Sequence, residues 1–143
     1  MDKMSELMLN WKIGQKPRII EEGQYHGYNY YIIYSRLCPC AYVEIPRENR
    51  LYEKSYSLVK LSYTPNWGFT YGDNYLKILG GCGTKKKWYL GWDYGHCTDY
   101  SNVIHNEGRV WTTKDIREEC MQVIDAIIKY NCEPEGRLDG RRR

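Results

Sequence analysis

The sequence has no apolar run approaching the roughly 18 residues that a membrane-spanning helix needs, so it offers no candidate span. Its first ten residues, Met1 to Asn10, lack the basic start and long apolar core of a secretory signal. That absence points to a cytoplasmic protein whose thiols stay reduced. Charge of one sign is missing too. Against 18 Asp+Glu the chain sets 21 Lys+Arg, and the formal +3 is far from a DNA-mimicking acidic surface and too mild to mark a nucleic-acid binder. There is no Gly-x-Ser-x-Gly nucleophile turn and no His-x-x-x-His pair. The glycines at 80, 81 and 83 are followed by lysine, but not in the Gly-x-x-x-x-Gly-Lys-[Ser/Thr] order of a phosphate loop. No complete catalytic set can be assembled, which favours a non-enzymatic protein.

What is present in excess is tyrosine. Fifteen Tyr, five Trp and one Phe make 15% of a 143-residue chain, and such residues suit half-buried sheets and recognition surfaces alike. The 42% hydrophobic and 27% charged content is that of one folded domain rather than of a disordered chain. Six cysteines stand at 38, 40, 82, 97, 120 and 132. Their only close pair, Cys38-Pro39-Cys40, has the wrong spacing for a zinc knuckle, so free thiols are expected rather than zinc or a disulfide framework.

Residues 1–22 read as an N-terminal arm, with Leu7, Met8, Trp11 and Ile13 in a stripe that Gly14 and Pro17 cut short. Residues 25–34, aromatic and β-branched, predict a strand, and 40–45 the strand that returns beside it before Pro46. Residues 51–63 are ambiguous: Tyr56, Leu58 and Leu61 could belong to a short helix, while the alternation over 58–63 favours a strand. Residues 67–71 and 88–93 predict two more strands, with a loop tip between them at 80–83. The clearest element comes last. Thr112 with Asp115 predicts a capped helix start, and Ile116, Cys120, Val123, Ile124 and Ile127 recur at helical spacing through 113–130. Residues 133–143 read as a disordered basic tail. The expected organisation is α+β: a single domain over 23–132, with a mainly antiparallel sheet packed by a C-terminal amphipathic helix.

Two groups of residues suggest chemistry. Asp93, His96 and Asp99, spaced three and three after a strand, could hold a divalent metal or act as acid and base. The simpler reading, loop capping, is favoured, and no metal or cofactor is assigned. Lys85, Lys86 and Lys87 directly precede Trp88 and Tyr89, and cations beside aromatic faces are the ingredients of nucleotide binding. Strand alternation puts Trp88, Leu90 and Trp92 on one face and Tyr89, Gly91 and Asp93 on the other. With the tryptophans expected under the helix, Tyr71, Tyr89, Tyr94 and Tyr100 remain for a partner surface, together with Arg109 at the end of the following loop.

Four motifs carry a resemblance: Cys40-Ala41-Tyr42-Val43-Glu44-Ile45-Pro46, Gly68-Phe69-Thr70-Tyr71, Gly91-Trp92-Asp93-Tyr94-Gly95-His96-Cys97-Thr98-Asp99 and Val110-Trp111-Thr112. Over residues 28–128 the chain resembles a group of small proteins from bacteriophages and bacterial mobile elements that has no settled activity. Asn66-Trp67-Gly68 stands where members often carry His-Gly-Gly, which removes one histidine from any shared metal site. The resemblance implies a phage accessory protein acting against host defence. Two classes of function follow. The first is an inhibitory binding protein that occupies a host defence effector or sequesters its anionic nucleotide signal. The second is a small metal-dependent hydrolase or nuclease using Asp93, His96 and Asp99. Direct nucleic-acid binding through Lys85, Lys86, Lys87 and the arginines at 141–143 ranks below both, no membrane partner is expected, and the oligomeric state is left open.

Overall fold

The computed structural model describes residues 2–10, 12, 15–80, 86–101 and 107–133. In chain order these form helix α1 (Lys3–Asn10), strands β1 (Arg18–Tyr25), β2 (Tyr28–Tyr34), β3 (Pro39–Glu44), β4 (Tyr71–Asp73) and β5 (Tyr89–Asp93), and helix α2 (Thr113–Cys132). Single 3-10 turns occur at Tyr56–Leu58 and Lys77–Leu79. The five strands make one sheet in the order β1-β2-β3-β5-β4, with antiparallel pairing throughout. The fold is α+β, as its order of elements predicts. Among the described residues no helix is long and apolar enough to cross a membrane.

Residues 25–34 are not one strand. His26 and Gly27 take φ of 48° and 83°, the positive pair that a two-residue hairpin turn demands, and Tyr25 and Tyr28 close the ladder on either side. The reading of 1–22 as an arm is likewise corrected. Its residues 18–22 are the first part of β1, an edge strand, and its residues 3–10 are α1, whose Met4 and Met8 are wholly buried in the main core. Asp2 explains the docking of α1. Its carboxylate accepts from the backbone N–H of Met4 and Ser5 at the start of α1 and from that of Thr113 at the start of α2. One anion thus serves the positive ends of two helices. Burial alone would raise its pKa, but these bonds outweigh it and hold the carboxyl below its ordinary value.

Helix α2 begins in the expected capping box. Thr112 Oγ1 accepts from Asp115 N at 3.0 Å, and Asp115 Oδ2 accepts from Thr112 N at 3.2 Å. Its stripe of Ile116, Cys120, Val123, Ile124 and Ile127 is fully buried against Ile32, Ala41, Val43, Leu90 and Trp92 of the sheet. Each such aliphatic side chain contributes about 1.5–3 kcal/mol on burial. Two polar devices lock the packing. Arg117 grips Glu21 of β1 through two bonds of 2.7 Å, and Arg50 donates to the carbonyls of Tyr130 and Glu133 at the far end of α2.

Two other expectations change. The strand expected at 67–71 begins only at Tyr71, because Trp67 and Gly68 sit at φ of 58° and 87° and form a turn, not extended chain. Residues 51–63 adopt turns and a short 3-10 helix at Tyr56–Leu58, and the strand that the alternation over 58–63 favours does not form. The tail beyond Glu133 and the loop tip at 81–85 lie outside the described residues.

Candidate functional site

Helix α2 covers one face of the sheet. The other carries a smaller apolar cluster of Ile33, Leu76 and Tyr89, with Tyr31, Tyr42 and Tyr71 packed against it. Sequence alternation assigns this face correctly for β5: Leu90 and Trp92 lie under α2, and Tyr89 lies opposite. The row Tyr31, Tyr42, Gly91, Tyr71 runs straight across four strands. Gly91 is its pivot. A Cβ there would stand 2.4 Å from Tyr42 Cδ2, so only glycine lets the Tyr42 ring fold over β5 and meet Tyr71 edge to face, centroids 5.4 Å apart at 87°. The Tyr71 hydroxyl donates to the Tyr75 carbonyl, which braces the ring from the other side. Burial raises the Tyr71 pKa to about 12, so that hydroxyl keeps its proton at neutral pH.

Beside this row lies a pocket of about 560 Å³, within the span of roughly 300–1,000 Å³ typical of small-molecule sites. Ile33, Leu76 and Ile78 supply apolar wall, Tyr42, Tyr71 and Tyr75 the aromatic wall, and Lys16, Arg36 and Lys77 three cations. No carboxylate is among its described lining residues. Ser35 also lines it, but its hydroxyl is committed to the turn, donating to the Cys38 carbonyl and accepting from the N–H of Leu37 and Cys38.

The second candidate, Asp93/His96/Asp99, does come together. His96 Nδ1 stands 3.3 Å from Asp99 Oδ2 and 3.7 Å from Asp93 Oδ1. Both carboxylates accept hydrogen bonds from protein donors. Asp99 is only 1% exposed; its Oδ1 accepts from Trp111 Nε1, and its Oδ2 from Asn66 Nδ2 and His96 N. Asp93 accepts from Gly95 N and from Thr70 Oγ1. Trp67, 59% exposed, lies flat on the His96 ring at 5.0 Å and 7°, with its indole N–H donating to Thr98 Oγ1. Among the described residues no three His, Cys, Asp or Glu side chains form a group that could hold a metal ion. The cluster is a knot that ties the loop after β5 to the turn at Asn66–Trp67 and to Trp111.

Of the other sequence-derived site residues, Tyr94 and Tyr89 are corrected, as is Asp99: none is a surface contact. Tyr94 is fully buried, accepting from Trp92 Nε1 at 2.8 Å and donating to Glu119 Oε1 at 2.5 Å, and Tyr63 donates to the other Glu119 oxygen. Tyr89 is buried in the open-face cluster. Tyr100 is half-buried against the main core. Arg109 is exposed but engaged, lying 3.7 Å over the Trp111 ring and 3.3 Å from Asp115. Lys87 pairs with Glu44 at 3.5 Å, Lys86 is exposed and engaged within the protein, and Lys85 lies outside the described residues. Among the described residues of the expected set, Tyr71 alone lines the pocket. Sequence reasoning missed Lys16, Arg36, Tyr42, Tyr75 and Lys77. Alternation along β3 could have placed Tyr42 opposite Val43; the rest arrive from segments without periodicity.

These features define a class: an α+β protein with one sheet face covered by a helix and the other holding a cationic, aromatic-lined pocket. In comparisons with known proteins, no family model, no curated protein and no solved structure matches the chain.

Proposed function

We propose that this is a non-enzymatic binding protein that captures an anionic small ligand in the open-face pocket, and that it works in the bacterial cytoplasm as a phage-type antagonist of host defence. The observation that carries the binding reading is the convergence of Lys16, Arg36 and Lys77 on an aromatic-walled pocket with no described carboxylate in its lining. Charge-assisted bonds to such cations favour phosphate or carboxylate ligands. The antagonist role rests on the resemblance to phage proteins. What speaks for binding over hydrolysis is Asp99, which is 1% exposed and accepts from protein donors on both oxygens.

The test is a pyrophosphate titration by calorimetry, paired with phage plating on a defence-carrying host. Lys16→Ala with Lys77→Ala should weaken pyrophosphate binding about tenfold or more, and the loss should shrink at high salt. The same variant should lose protection in plating. His96→Ala should leave binding intact. The triple change of Lys85, Lys86 and Lys87 to Ala is the contrast. If it abolishes binding and the pocket variant does not, the anion site is the lysine loop; if His96→Ala alone abolishes protection, the hydrolase reading replaces this one.

A further inference from the structure

We propose that the ligand of the open-face pocket is a nucleoside phosphate, with its phosphates at Lys16 and Lys77 and its base against the tyrosine wall. The inference rests on the anion-binding reading above and adds the chemistry of the second half of the ligand. An anion alone needs the cations; it has no use for the aromatic and aliphatic residues that line the pocket with them. Three tyrosines and three aliphatic residues line the same pocket as three cations, a composition that suits a ligand with both a charged part and a flat, apolar part.

The aromatic wall is also held in place before any ligand arrives. Tyr42 is fixed by the gap at Gly91, Tyr71 by the edge-to-face contact with Tyr42 and by its bond to the Tyr75 carbonyl. Rings already fixed lose little side-chain entropy when a base packs on them. Polar recognition falls to the cations, since Ser35 is spent on its own turn. Arg36 is engaged within the protein and adds charge. A nucleoside phosphate fits better than a polynucleotide for two reasons. The three cations meet at one pocket instead of tracking along a groove, and the chain's net charge of +3 is modest for a protein that must follow a phosphate backbone.

The experiment uses the full chain and calorimetric titration with four ribonucleoside triphosphates, tripolyphosphate, adenosine and a decathymidylate strand. At least one triphosphate should bind ten times more tightly than tripolyphosphate and than adenosine. Tyr71→Ala should bring that triphosphate down to the affinity of tripolyphosphate and leave tripolyphosphate itself unchanged. Tyr75→Ala, at an exposed position outside the strands, gives the same reading if Tyr71→Ala fails to fold. Lys16→Ala with Lys77→Ala should weaken both ligands. If tripolyphosphate binds as well as every triphosphate, the nucleoside inference is overturned and anion capture stands. If the strand binds most tightly, the ligand is a polynucleotide and the inference is again overturned. If no phosphate compound binds, both readings fall together.

Discussion

Gly91 decides the shape of the open face by what it omits. Any side chain there meets the Tyr42 ring and the Ala41 carbonyl, so Gly91→Ala forces the ring out of its seat. The expected cost is about 1–3 kcal/mol, read as a lower urea midpoint with unchanged slope, together with weaker ligand binding. Asp99 is the opposite case, a residue defined by what it holds. Asp99→Ala strands the Trp111 indole N–H, the Asn66 amide and the His96 N–H, at an expected cost of about 3 kcal/mol by denaturant titration. Loss of binding without that destabilisation would mean that the carboxylate acts on a ligand, not as a structural anchor.

At the scale of elements, α2 is held by its cap, its apolar stripe and its grip on β1. Thr112→Ala removes the acceptor for Asp115 N and should cost about 1 kcal/mol, measurable as a lowered Tm. The grip on β1 gives a pH dependence of known sign. The bond from Arg117 lowers the Glu21 pKa below its ordinary 4.5, against the opposing effect of burial. A carboxylate depressed in the folded state contributes stability that is fully present above its unfolded pKa and is lost as pH falls through the folded one. Stability should therefore be level above pH 4.5 on this account and decline below it, and Glu21→Gln should flatten the decline in an acid titration followed by circular dichroism. Asp2 and Asp115, also depressed by hydrogen bonds despite burial, act in the same direction and leave a residual slope.

On the scale of the whole molecule, the expectation of free thiols can be tested, and the described cysteines form no disulfide among themselves. Cys38, Cys40 and Cys120 are free and buried, and Cys97 and Cys132 are free and exposed. The Tm should be unchanged by chelator or by thiol reductant; a large fall in either would reveal a staple. Of the described cysteines, alkylation of the native protein followed by mass spectrometry should reach Cys97 and Cys132 first. Cys40 and Cys120 should react only on unfolding. The hydrogen bond with Cys38 and then burial push the Cys40 thiol well up, and burial does the same for Cys120.

Local pattern by itself determined the α+β class, the capped C-terminal helix and the two faces of β5, because capping, helical spacing and strand alternation all act between near neighbours. Tertiary structure alone decided the rest. Nothing near Asp2 in the sequence signals that it will bind Thr113, 111 residues away, so the first 22 residues look like an arm. Tyr94 and Asp99 look like loop residues until Glu119 and Trp111 reach them. The pocket is the strongest example. Lys16 comes before β1, Arg36 from the turn between β2 and β3, Tyr42 from β3, Tyr71 from β4 and Lys77 from a 3-10 turn. No local period connects these positions; the order of strands in the sheet brings them together.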